Sequence, residues 1–165
     1  MKREAVISDD KKYRYTLYRE WADPDDPFGV CVLNFVMLNP STADGLVDDP
    51  TVRKCIGFAK LNRFNAIRVV NLFAWRAKDP RDLHHSHKWN YDIVGPQNDV
   101  YVGEIPPEET VVAAWGAQFH NKDFRNIRVQ QTMKLLNRPP VCLKKTDSGQ
   151  PWHPLYVPYG PLIEF

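Results

Sequence analysis

Chemistry in this sequence is concentrated where apolar runs stop. Residues 30–38 form a near-continuous apolar run that ends at Asn39-Pro40-Ser41-Thr42, and the acidic residues Asp44, Asp48 and Asp49 follow. A second run closes with Asn71, Leu72 and Phe73, with Trp75-Arg76 just beyond. A third ends at Trp115-Gly116, and a fourth leads to Trp152-His153-Pro154. An amide that closes an apolar strand needs a partner. Asn39, set before a proline, either ends its strand in an Asx turn or holds a water or a polar ligand group. Asp44 and Asp48 have the chemistry of a general base or a divalent-cation ligand, or are simply solvated. Asp49 followed by Pro50 is placed to cap a helix. His84, His85 and His87 sit among basic residues with no carboxylate or thiolate ligand nearby. They read as a solvated or phosphate-facing cluster rather than a metal centre. The chain has no G-x-G-x-x-G, P-loop, G-x-S-x-G or H-E-x-x-H string, which disfavours the common nucleotide, lipase and zincin readings.

The elements that must hold these residues follow from periodicity. Aromatic-rich residues 13–21 read as a strand. Residues 22–29, with two prolines, three aspartates and a glycine, read as a loop. Residues 30–38 are apolar enough to be buried on both faces, as in a parallel sheet. After Asp49, the residues Val52, Cys55, Ile56 and Ala59 recur on one helical face. Further strands are expected at 67–73, 110–115 and 141–144. A short helix is expected at 81–89, and a longer one at 124–137 with Val129, Met133 and Leu136 on one face. Strands alternating with helices predict a single α/β domain over residues 1–165, with residues 1–11 frayed. The expected architecture is a three-layer sandwich around a central, mostly parallel four-stranded sheet. The strand at 13–21 is expected to pair with 30–38 as an N-terminal antiparallel edge. Ligands of such sheets bind beyond the carboxyl ends of the strands, where the residues named above lie.

Composition bounds the rest. Hydrophobic residues are 43% and charged residues 25% of the chain, ordinary for a globular domain. No apolar run approaches the ~20 residues of a membrane span. The N-terminus lacks the apolar segment of a secretory signal, so a cytoplasmic location and no membrane partner are expected. Cys31, Cys55 and Cys142 are widely spaced within apolar runs and read as buried free thiols, with neither a disulfide framework nor metal ligation. The net charge of +2 hides an asymmetry: residues 51–91 carry nine Lys and Arg against two Asp and Glu. Such a segment either presents a positive face suited to phosphates or spreads its charge over unrelated helix faces.

Two resemblances attach to these motifs. Met37-Leu38-Asn39-Pro40-Ser41-Thr42-Ala43-Asp44, Asp48-Asp49-Pro50-Thr51, Val70-Asn71-Leu72-Phe73 and His153-Pro154-Leu155-Tyr156 resemble the recurring strings of an uncharacterised bacterial and phage domain family. The same segments, with Ala113-Ala114-Trp115-Gly116, are more remotely similar to the uracil-DNA glycosylase superfamily, especially its mismatch-specific branch. That likeness covers roughly residues 30–157. It implies a uracil-DNA-glycosylase-like fold, no cofactor or bound metal, DNA or a nucleotide as partner, and hydrolysis of an N-glycosidic bond. It implies that Asn39 positions the attacking water, aided by Asp44 or Asp48, and that His153 stabilises the departing base. Asn71 would read the base edge, with Phe73, Trp75 or Trp152 stacking on the base. Ser41, Thr42, Arg53 and Arg76 would hold phosphates. Ser41 departs from the glycine of the mismatch-specific loop, and no serine follows Pro154. Two alternatives stand beside this reading: a non-catalytic nucleic-acid or nucleotide-binding module, and a Mg²⁺-dependent small-molecule enzyme using the acidic loop.

Overall fold

The structure is a computed structural model of the chain. It describes all residues except Thr42, Asp44, Gly45 and His120 and the side chain of Pro80. The strands are β1 (Lys2–Ile7), β2 (Arg14–Glu20), β3 (Val32–Met37), β4 (Ala66–Asn71), β5 (Thr110–Ala113), β6 (Val141–Cys142) and β7 (Ile163–Glu164). The helices are α1 (Pro50–Leu61), α2 (Pro80–Lys88), α3 (Asn98–Gly103) and α4 (Lys122–Leu136), with one turn of 3₁₀ helix at Pro154–Tyr156.

The strands form one seven-stranded sheet in the order β1-β2-β4-β3-β5-β6-β7. β3 is central: it pairs in parallel with β4 on one side and β5 on the other, and β5 continues in parallel to β6. The outer pairings, β1 with β2, β2 with β4 and β6 with β7, are antiparallel. The sheet is therefore mixed, with seven strands rather than the expected four and an edge strand: β4, β3, β5 and β6 run parallel at its centre, flanked by antiparallel strands.

Two other expectations are corrected. Residues 1–11 are not frayed as a whole. Lys2–Ile7 pair along β2, with Lys2 opposite Glu20 and Ala5 opposite Leu17. β2 in turn lies against β4, not β3, with Leu17 opposite Val69. Both sides of β3 are taken by parallel partners, so the antiparallel pair is displaced to the sheet's edge.

Alternation along the strands divides the core in two. Leu33, Phe35, Ile67, Val69 and Val112 pack on one face beneath Val52, Cys55, Phe58 and Ala59 of α1. Val36, Val70, Val111 and Ala113 pack on the other with Leu83 of α2, Val102 of α3 and Leu136 of α4. All six residues of β3 are buried, as its apolar run predicts. Its one polar member, Asn34, donates to Glu109 Oε2 at 2.9 Å and accepts from Arg68 Nη1 at 3.0 Å, so its amide is satisfied.

α1 starts as the sequence implies: Asp49 accepts a hydrogen bond from the Val52 amide at 2.8 Å, and Pro50 occupies the first turn. α4 packs the face its apolar spacing suggests, with Leu136 buried and Val129 and Met133 partly buried against the second of these cores, and it also buries polar residues. Its buried residues are Arg125, Arg128, Thr132 and Leu136. Arg128 donates from Nε to Leu72 O at 2.6 Å and pairs with Asp99. Asn98 of α3 donates to Asn71 O and Leu72 O. The carbonyls that β4 leaves open at its end are thus closed by side chains from α3 and α4.

Cys55 and Cys142 are buried free thiols, but Cys31 precedes β3 and is exposed, against expectation. Among the described residues no helix is long and apolar enough to cross a membrane.

Candidate functional site

The carboxyl ends of β3 and β5 open into a cavity of about 490 Å³, within the size range of small-molecule sites. Its walls include the strand ends with Asn39 and Trp115-Gly116, the start of α1 with Asp49 and Thr51, the segment after β4 with Ala77 and Lys78, and the segment bearing Trp152 and His153.

Asn39 donates from its amide nitrogen to Pro40 O at 3.0 Å and to Ala77 O at 2.9 Å. Both partners are carbonyls, so the NH₂ must face them and the Oδ1 is left as an acceptor for a ligand or water. The same two bonds tie the loop after β3 to the segment after β4.

His153 is fixed in the complementary sense. It precedes the 3₁₀ turn, and its Nδ1 accepts from the Leu155 amide at 3.3 Å. An acceptor nitrogen carries no proton, so the neutral ring holds its proton on Nε2 as a donor. Burial depresses the imidazole's pKa below the usual histidine value, with the charge of Asp49 partly offsetting it. Gly116 lies beside His153. Its backbone has φ of +71°, and a Cβ there would stand 3.4 Å from His153 Cβ. The positive φ is the reason for glycine after Trp115.

Trp115 is 2% exposed, donates to Gln150 Oε1 and meets Phe165 edge-on. Trp152 packs on the α1-side core and carries Lys144 over its ring at 5.0 Å. The aromatic wall is thus rigid on one side and half-exposed on the other.

The rim is held by arginines from the sheet edge. Arg14 donates to Ala43 O at 2.7 Å, Arg3 donates to Leu46 O at 2.6 Å, and the buried Arg19 pairs with Asp48 at 2.7 Å. Arg3 also reaches Asp48, at 3.2 Å.

The DUF1643 family pattern, described as a protein of unknown function, matches residues 14–155. The chain belongs to this family. No curated protein matches this DUF1643 chain. No solved structure matches it either.

Of the residues singled out in the sequence, the DUF1643 pocket gathers Asn39, Ser41, Trp152 and His153. Thr42 and Asp44 lie outside the described residues. Asn71 is wholly buried and does not line the cavity, and neither its Oδ1 nor its Nδ2 has a partner among the described residues. Alternation along β4 turns it to the same face as Ile67 and Val69, into the core. Phe73 is wholly buried against Phe119 and Phe124. Trp75 stacks on Tyr91 and meets Tyr13 edge-on, away from the cavity.

Neither expected phosphate-binding arginine faces the cavity. Arg53 donates to Asp48 O and Arg76 to Lys11 O. Asp48 is consumed by Arg19 and Arg3 as a structural anchor. The histidine cluster packs against aromatics: His87 stacks on Phe124 at 4.1 Å and His84 meets Phe119 edge-on. The described residues contain no group of His, Cys, Asp or Glu that could hold a metal ion.

Further lining residues lie beyond those the sequence assigns a role at the site. Asp49 is both helix cap and wall, a double use its capping signature conceals. Trp115 is marked only by its place before a glycine. Lys78 and Gln118 lie on connecting segments without sequence signal.

Proposed function

We propose that the cavity is the base pocket of an N-glycosidic-bond hydrolase, of uracil-DNA-glycosylase-like type, acting on a DNA base or a nucleotide. The observation that carries this reading is the pairing of a fixed acceptor, Asn39 Oδ1, with a fixed neutral donor, His153 Nε2–H, on one aromatic-walled cavity.

Hydrolysis of such a bond needs a water held at the sugar's C1′ and a donor for the charge that develops on the base. Asn39 Oδ1 accepts a hydrogen bond from the water and orients its lone pair. As the C1′–N bond breaks, its electron pair goes to the base. His153 Nε2–H donates to that growing anion, and oxygen from the water bonds to C1′ while its proton passes to solvent. A donor fixed before the reaction stabilises such charge without reorganising, commonly by about 10²–10³ in rate. Neutrality suits the geometry: the pKa depressed by burial favours the uncharged ring, whose Nδ1 accepts from the Leu155 amide while Nε2–H donates. Trp115 and Trp152 offer apolar walls to the planar base.

Asn71 takes no part, since it faces the core, and the base edge is met by Ser41 and the groups about Trp115. Incubation with nucleosides, nucleotides, and single- and double-stranded DNA carrying varied modified bases tests the proposal. Free base or abasic sites should appear with one of them. Product should vanish in both Asn39→Ala and His153→Ala, with circular dichroism unchanged. Saturable binding without any released base would replace the hydrolase with a binding module.

A further inference from the structure

A second groove adjoins the cavity and shares Lys78, Ala117 and Gln118 with it. It measures about 620 Å³ and is further lined by Asp79, Arg81, Phe119 and Lys122. Its charge is uneven. Among the described residues Lys78, Arg81 and Lys122 meet a single lining carboxylate, Asp79, which accepts from Arg81 Nε at 2.9 Å and Nη2 at 2.6 Å. Lys78 and Lys122 are exposed and form no ion pair with the described residues.

Behind the shared wall lies a further cation. Arg125 is 4% exposed. It donates from Nη1 to Ala117 O at 3.1 Å and from Nη2 to Asn126 Oδ1 at 3.4 Å, while its Nε is buried without a partner among the described residues. No described carboxylate offsets it, and burial alone pushes its pKa down. A buried guanidinium without a counter-ion is costly to a fold unless an anion comes near.

We propose that this groove binds a phosphate group of the nucleotide whose base occupies the adjoining cavity. The proposal rests on the base-pocket reading, and it names the substrate as phosphorylated rather than a free nucleoside. Lys78, at the junction, and Lys122, on the far side, contact the phosphate directly. Arg81 is held by Asp79 at the edge, and Arg125 adds positive potential through the wall of Ala117. The phosphate is a monoester if the substrate is a free nucleotide and a diester if it is a nucleic-acid strand.

Calorimetry and NMR on the full chain with four probes test this: inorganic phosphate, a nucleoside, its monophosphate, and a short single-stranded oligonucleotide. The monophosphate or the oligonucleotide should bind at least tenfold more tightly than the nucleoside. The double variant Lys78→Ala/Lys122→Ala, at two exposed positions, should remove most of that increment, and Lys78→Arg/Lys122→Arg should keep it. If the oligonucleotide is preferred, its salt slope should fall by about 0.7 for each phosphate that the alanine variant no longer neutralises; this assigns the diester. Preference for the monophosphate assigns the monoester. Equal affinity for all nucleoside forms overturns the proposal while leaving the base pocket standing. If no nucleoside binds but inorganic phosphate shifts the Lys122 and Gln118 signals in the parent and not in the alanine variant, the anion groove stands and the base-pocket reading falls.

Discussion

Asp48→Ala is the substitution whose cost the structure defines most closely. The carboxylate faces Arg19, a guanidinium with 0% side-chain exposure, at 2.7 Å, and it is itself 10% exposed. Removing one partner of such a pair strands a buried charge, which costs about 3–5 kcal/mol. Arg19 keeps hydrogen bonds to Glu4 O at 3.2 Å and Tyr18 O at 2.8 Å, so the lower end applies. The second partner, Arg3, is 36% exposed and adds at most about 1 kcal/mol. A loss of about 3 kcal/mol follows, or a melting temperature lower by about 6–12 °C for a domain of this size. Urea unfolding followed by tryptophan fluorescence, with thermal circular dichroism beside it, measures both quantities. The double variant Arg19→Met/Asp48→Ala should be more stable than Asp48→Ala alone, because it no longer buries the cation. An Asp48→Ala chain within about 0.5 kcal/mol of the parent, the range of an ordinary surface substitution, would refute the account of this loop as anchored through a buried ion pair.

Further outcomes follow from the pocket and the thiols. Because burial lowers the pKa of folded His153, the unfolded chain takes up its proton first as pH falls. The residue's contribution to stability is complete above about pH 6.5 and is lost as pH drops toward the folded pKa. Urea midpoints across that window should slope less in His153→Gln, and long-range ¹H–¹⁵N correlation at pH 7 should show the Nε2–H tautomer. Gly116→Ala should cost about 1–2 kcal/mol in thermal or urea unfolding, the strain of a left-handed backbone with a Cβ, while the added methyl would meet His153 Cβ at an ordinary contact distance of 3.4 Å. A thiol reagent should modify Cys31 alone in the native protein. Cys55 and Cys142 should react only on unfolding, since burial both shields them and raises their pKa values.

Legibility in the sequence tracked how directly a residue's role depends on its own strand end. Asn39 closes a strand buried on both faces, and His153 stands before a proline that starts a turn, so local pattern sufficed to mark both as pocket residues. Asn71 closes a strand just as abruptly, yet side-chain direction alternates along β4 and turns it into the core. Arg68 marks the opposite face of this run, and the parity it sets places Asn71 with Ile67 and Val69 on the buried side. Arg125 and Arg128 carry no mark of their burial in the sequence. Arginine reads as solvent-facing, but here Arg128 is consumed by a strand-end carbonyl and Arg125 by a loop carbonyl, partners that exist only after the sheet forms. β1 has four of its six residues exposed and no amphipathic signature, because it pairs on one side only and covers little core. The acidic loop suggested cation or base chemistry, and only the arrival of Arg3 and Arg19 from the sheet edge shows Asp48 to be a tether.

The double anchorage of Asn39, to Pro40 O and Ala77 O, has a kinetic consequence. With the acceptor already pinned between two strand-end loops and the rim strapped at Ala43, Leu46 and Asp48, capture of a ligand requires no closing motion of these groups. Stopped-flow association should therefore give an observed rate that climbs in proportion to ligand concentration, without the plateau that a slow rearrangement imposes. The pocket would act as a preformed mould, its selectivity expressed in how long a ligand stays rather than in how quickly it enters.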